Sequence, residues 1–221
     1  MCALHVSRNP DRTRRRLLNA SIRLFSARGF HGISVDQIVA AARVNKRMVY
    51  HYFGSKEAIY RAALLEVYNR IGRLEIHSIE AAGNPKEQLK RLLDRYFKFL
   101  FENREFTQLV QWENLEGGRY SAKKRFVMSM NPFFEEFRKI VEEGKKLGEF
   151  RRDLDIDHLL VHFIGSCFAY HSNRISLSHE LDMDLGSPSE RARGLNLIHT
   201  LFFDGISASP RTPRRVQPRA A

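Results

Sequence analysis

The sequence predicts an all-α protein: an N-terminal three-helix helix-turn-helix domain followed by a C-terminal helical bundle, about nine helices in all. Three observations carry that expectation. Helix-start residues recur along the whole chain, from Asn9-Pro10 to Ser187-Pro188. Apolar residues repeat at helical spacing, and no convincing period-two run reads as a strand. Proline is scarce and mostly terminal, so little interrupts the helices.

In chain order, Asn9-Pro10 opens the first helix, with proline in the tolerated first position. Leu17, Leu18, Ile22, Leu24 and Phe25 give it an apolar stripe, and Gly29 ends it. Ser34 and Gln37 form a capping box for a second short helix that turns Val35, Ile38 and Val39 inward. Residues 40–44 are small and tight, as a turn between crossing helices must be. Asn45 caps a third helix reaching Tyr52, and Ser55 caps a fourth over about 56–82. Asn84-Pro85 opens a helix over 85–102. Others follow over 104–116, 121–147, 156–179 (capped by Asp155) and 188–205 (capped by Ser187). Gly117-Gly118 and Gly186-Ser187 mark loops. Three parts result: a head at 10–55, a body at 56–207 and a tail at 208–221.

With 221 residues, 43% of them hydrophobic, the chain can bury a real core. Cys2 and Cys167 lie far apart and read as free thiols in a reducing cytoplasm. The Arg-rich start has no apolar segment behind it, and Leu159–Tyr170, broken by His162, is too short to span a bilayer. A soluble cytoplasmic protein is expected. The net charge of +12 is unevenly placed. Residues 1–57 hold eleven Lys/Arg against three Asp/Glu; residues 58–207 hold 22 of each; residues 208–221 hold four Arg and no acid. The front end is built to meet a polyanion, either nucleic acid or an anionic membrane surface. The basic tail is expected to be disordered.

No nucleophile elbow, P-loop, dinucleotide fingerprint or HExxH motif is present, so no enzyme activity and no cofactor are expected. His158 and His162 share a helix face with Asp155 and Asp157 nearby, but no third His or Cys completes a metal set. A helix surface or subunit contact is the reading there.

Two short helices joined by a few residues, with basic and aromatic groups on the second, describe a helix-turn-helix. The stretch Gly29-Phe30-His31-Gly32-Ile33-Ser34-Val35-Asp36-Gln37-Ile38-Val39-Ala40-Ala41-Ala42-Arg43-Val44, followed by Val49-Tyr50-His51-Tyr52-Phe53-Gly54-Ser55-Lys56-Glu57, resembles the signature of the TetR family of bacterial transcriptional regulators. Thr13-Arg14 and Leu24-Phe25 fit the same pattern. One departure is Arg43, where the family's turn usually carries Gly. A left-handed backbone there costs a non-Gly residue about 1 kcal/mol, and Arg43 is placed to add a phosphate contact. The resemblance implies that Lys46, Arg47 and Met48 begin a recognition helix, where Lys and Arg read guanine edges and Met48 lies on a thymine methyl. His51 faces the groove. Tyr50, Tyr52 and Lys56 match phosphate contacts that set register. Ser34 serves as cap and phosphate donor. Val49 and Phe53 match buried positions.

The resemblance also implies a body that encloses an effector pocket. Tyr96, Trp112, Met128, Phe133, Phe163, Cys167 and His171 are the candidate walls for a small apolar or aromatic effector. It implies dimerisation through the last two helices, where Gly165 and Ala169 permit close approach and Leu195, Ile198, Leu201 and Phe202 form an apolar stripe. The functional expectation is a homodimeric repressor released from palindromic double-stranded operator DNA by a small molecule. A ligand-responsive activator or ligand-independent regulator reads from the same residues. A helical adaptor or membrane-surface protein is the alternative outside DNA.

Overall fold

The computed structural model describes residues 10–73, 83–121 and 132–208. Among the described residues there are ten helices and no strand, the all-α architecture that the sequence predicts. The head is α1 (Pro10–Arg28), α2 (Val35–Ala42) and α3 (Arg47–Phe53), and α4 (Lys56–Gly72) leads out of it. The body adds α5 (Pro85–Glu102), α6 (Arg104–Leu115), α7 (Pro132–Leu147), α8 (Ile156–Ser172), α9 (Arg174–Glu180) and α10 (Pro188–Ile206). No described helix is long and apolar enough to cross a membrane.

The helices begin where side-chain acceptors satisfy orphan backbone N–H groups. Ser34 accepts from Gln37 N at 3.2 Å, and the Gln37 side chain returns the bond to Ser34 N at 2.8 Å. Ser55 accepts from Ala58 N at 3.0 Å, Asn84 from Glu87 N at 2.9 Å, Asp155 from His158 N at 3.0 Å and Ser187 from Glu190 N at 3.3 Å. Each such cap is worth about 1 kcal/mol.

One expected helix is two. The pattern over 156–179 reads as continuous, yet the chain breaks at Asn173, which leaves helical geometry at φ −95°, ψ 6°. Its N–H bonds to Ala169 O, and its carbonyl accepts the Ser176 hydroxyl at 3.0 Å. Asparagine favours such capping geometry over a helix interior, and this break makes ten helices of the expected nine. The expected end of the fourth helix beyond residue 73, the start of the helix predicted from 121, Met128, and the tail from residue 209 lie outside the described residues.

Helix α1 packs against α2, α3, α4 and α6, while α5 runs through the body and touches α6, α7, α8 and α10. One buried cluster continues from Leu17, Phe25, Ile38 and Val49 in the head, through Ile59, Tyr60 and Leu64 of α4, to Phe133, Phe137 and Phe163. Head and body therefore share a core, with α4 as their common wall.

Candidate nucleic-acid interface

The helix-turn-helix corner follows from the turn between α2 and α3. Arg43 occupies the left-handed region at φ 51°, ψ 51°, and its N–H closes onto Ala40 O at 3.1 Å. Arg16 of α1 donates to the Arg43 carbonyl at 3.2 Å, tying the strained residue to the first helix. Asn45 then accepts from Arg47 N at 2.9 Å and starts α3. Lys46 precedes the helix rather than forming its first turn. Its ammonium lies 2.9 Å from the Asp36 carboxylate, and that bond raises its pKa.

Arg47, Tyr50 and His51 are exposed on α3, with Tyr50 52% accessible. Ser34, Arg43 and Lys46 are also exposed, so these six side chains are open to solvent at one corner of the head. Val49 is fully buried and Phe53 half-buried. Met48 is half-buried and packs on the core, where the sequence had suggested a base contact. Tyr52 is half-buried with its ring 4.8 Å from His51. Lys56 opens α4, half-buried with its ammonium 4.3 Å from the centre of the Phe30 ring, and desolvation lowers its pKa. Arg14 sits over the Phe53 ring at 5.4 Å. Arg14 and Arg16 of α1 are thus held by the head's own groups.

Behind this face is a joint that sequence reasoning missed. Trp112, expected to wall a ligand pocket, instead docks on α1: its indole Nε1–H donates to Ser26 O at 3.1 Å. The indole lies against Gly29, at φ +67°, so closely that a β-carbon there would stand 2.8 Å from Trp112 Cε3. Beside it, Phe25, Phe30, Tyr60 and Tyr120 form a ring cluster with centroids 4.6–6.2 Å apart. The buried Glu113 carboxylate accepts from Tyr120 N at 2.8 Å and Ser121 N at 2.7 Å, which holds Tyr120 in that cluster. Burial pushes the Tyr60 phenol above its ordinary range. Gly29 ending a helix was legible in sequence; its tryptophan partner, 83 positions away, was not.

The other expected pocket residues divide. Tyr96 packs 5.2 Å from Phe133 and 6.1 Å from Phe163, ring centre to ring centre. Cys167 is buried with them, its thiol pushed up to about 12 by desolvation. These four belong to one buried core cluster. His171 stands apart at the end of α8, its ring 4.9 Å from Phe101.

Among the expected subunit-contact residues, Gly165 and Ala169 are exposed on α8 and Leu201 is 68% exposed on α10. Leu195 and Ile198 are half-buried against the core. Phe202 turns inward, 5.6 Å from Phe163, and serves this chain's own core. Val161 and Leu197, not singled out from sequence, are exposed on the same two helices. Asp155 is taken up in capping and Asp157 accepts from Arg138 at 3.0 Å. Among the described residues no three His, Cys, Asp or Glu side chains converge as a metal site.

An exposed, cationic and aromatic helix carried on a capped helix-turn-helix defines a DNA-binding regulator. The comparisons agree. Residues 17–63 match the profile of bacterial regulatory proteins of the tetR family, and residues 85–201 match the tetracyclin repressor-like C-terminal domain. The chain belongs to the TetR family of transcriptional regulators. It is 32% identical over 197 residues to the HTH-type transcriptional repressor NicS of Pseudomonas putida, spanning 89% of this chain and 93% of that one. Among solved structures it is similar in fold to the regulator FadR from Bacillus subtilis in complex with stearoyl-CoA, with a TM-score of 0.69 at 20% identity, covering 87% of this chain and 99% of that one. It is also similar to the ketosteroid regulator KstR2 of Mycobacterium tuberculosis, with a TM-score of 0.62 at 20% identity, covering 88% and 96%.

Proposed function

We propose that this chain is a homodimeric repressor that a small-molecule effector releases from a palindromic operator. The observation that carries the reading is the Trp112–Ser26 joint: the body is latched directly to the helix that supports the reading unit. Arg47 and Lys46 donate to base edges in the major groove, with Lys46 leaving Asp36 to do so. Tyr50, Tyr52, Ser34, Arg43 and Lys56 hold phosphates. A second copy covers the apolar face formed by Val161, Gly165 and Ala169 of α8 and Leu201 of α10, since exposed large apolar groups on adjacent helices mark a protein contact. Two-fold pairing then sets two reading helices in successive major grooves.

An effector weakens DNA binding only if it favours the DNA-incompetent arrangement. Moving α6 moves Trp112, and with it α1 and the spacing of the two heads. A coupling of about 1–3 kcal/mol is the scale such a joint transmits. No chemical step is required. The names of the relatives support the reading: NicS is a repressor, and FadR was crystallised with an acyl-CoA.

The test begins with selection of bound fragments from genomic DNA. The recovered site is titrated against wild type, Lys46→Ala and Lys56→Ala at rising salt. Both variants weaken binding, and each lost phosphate contact reduces the slope of log affinity against log salt by about 0.9. Unchanged affinity in both would remove the assignment of the reading face.

A further inference from the structure

A cleft on the body, separate from the packed aromatic core, is lined by two arginines. It is about 300 Å³ and lies where the end of α5, the first half of α6, the end of α8 and the start of α9 meet. Arg104, Thr107 and Gln111 of α6 line one side, and His171 and Arg174 the other, with Phe101 and Ile175 as apolar surfaces. No carboxylate is among its lining residues.

Two of its polar atoms are buried and unpartnered among the described residues: Thr107 Oγ1, on a side chain only 2% exposed, and His171 Nδ1. An orphaned buried hydroxyl costs roughly a hydrogen bond, and a native fold retains one where something else satisfies it. The imidazole is held neutral, with its pKa lowered to about 4 by burial and then by Arg174 and Arg104. A neutral ring keeps one N–H to donate. Two guanidinium groups line the cleft, and Thr107 and the neutral His171, each with a buried polar atom lacking a partner among the described residues, belong to the same lining. Guanidinium forks match the planar, two-oxygen edge of a carboxylate. The volume stands at the small end of ligand sites.

We propose that this cleft is the effector site and that its ligand is a small organic carboxylate, seated with its carboxylate between Arg104 and Arg174 and its apolar body on Phe101 and Ile175. The proposal rests on the reading of the chain as an effector-released regulator, and it supplies that reading with a route. The residue after Gln111 is Trp112, whose indole is bonded to α1. A ligand drawing Arg104, Thr107 and Gln111 toward α8 and α9 tilts the same helix that holds the head.

The probes are sodium benzoate, sodium hexanoate and inorganic phosphate, each titrated calorimetrically into the full chain at fixed ionic strength. At least one carboxylate binds saturably and more tightly than phosphate. The double substitution Arg104→Gln/Arg174→Gln weakens it about tenfold or more, and Thr107→Val, which keeps the shape, weakens it about threefold. Both variants stay folded by far-UV circular dichroism and keep wild-type DNA affinity without ligand, since none of the three residues is among the groups assigned to DNA. The site is refuted if neither carboxylate binds, if phosphate binds more tightly, or if the double variant binds the carboxylate as well as wild type does. DNA affinity is then measured by anisotropy with the carboxylate saturating. A fall supports the release reading; carboxylate bound with DNA affinity unchanged upholds the site and overturns release.

Discussion

Replacing Gly29 by Ala tests the joint between head and body most directly. Gly29 sits at φ +67°, where an L side chain costs about 1–2 kcal/mol. The new methyl stands 2.8 Å from Trp112 Cε3 and 2.9 Å from Cδ2, against the roughly 3.5–4 Å at which carbon atoms rest. The indole cannot retreat freely, because its Nε1–H is bonded to Ser26 O at 3.1 Å and losing that bond costs about 1 kcal/mol. A less flexible unfolded chain returns roughly 0.5 kcal/mol. The net expectation is a loss of about 2–4 kcal/mol, read as a fall in the urea midpoint of the full chain. The decisive comparison is the same substitution in a Trp112→Leu background. With the ring gone only the backbone strain less the same unfolded-chain return remains, so Gly29→Ala costs about 0.5–1.5 kcal/mol there. Equal costs in the two backgrounds would show that the ring does not press on Gly29, and the coupling route through α6 would fail with it.

Arg47→Ala lowers discrimination at one base position by about 1–3 kcal/mol while non-specific binding persists; an unchanged sequence preference in a randomised-site selection would move the reading role elsewhere. His171 is neutral in the fold, and its pKa is lowered from 6.5 to about 4. The unfolded chain therefore binds the extra proton between those values, and the stability the neutral ring contributes is present above pH 6.5 and lost as pH falls toward 4. Discounted for its partial exposure, the loss is about 1–2 kcal/mol, and His171→Gln removes that part of the slope in urea melts run at pH 7 and pH 4.5. Leu201→Glu places a charge on an apolar face that is 68% open in the single chain. It shifts the dimer toward monomer in light scattering and weakens operator binding, whereas Phe202→Leu, inside the core, lowers the melting temperature by a few degrees without separating subunits.

The helix-turn-helix geometry was legible in sequence because its grammar is local. Ser34 and Gln37 cap α2, Asn45 accepts the first N–H of α3 although Lys46 stands at its cap position, and Arg43 takes the left-handed turn, all within a dozen residues, where short-range sterics and hydrogen bonding decide the outcome. The body was legible only as helices with apolar faces. A pattern of Phe, Tyr and Trp at helical spacing states that side chains are buried and not what they are buried against. Trp112 and His171 both read as pocket walls and Phe202 as a subunit contact, yet Trp112 joins α6 to α1, Phe202 fills the core and His171 edges the proposed cleft.

Charge tells the same story at longer range. The concentration of Lys and Arg in the first 57 residues follows from the chain alone and points to a polyanion, because electrostatic attraction depends on where charge lies more than on fine geometry. Arg104 and Arg174, 70 positions apart, carry no such mark: inside a stretch of 22 basic and 22 acidic residues they read as ordinary surface groups. Only the packing of α6 against α8, with α9 turned off at Asn173, brings both guanidinium groups to one cleft beside an orphaned threonine hydroxyl. Local hydrogen bonding and charge density are written along the chain, whereas convergence of distant side chains exists only once helices have chosen their neighbours.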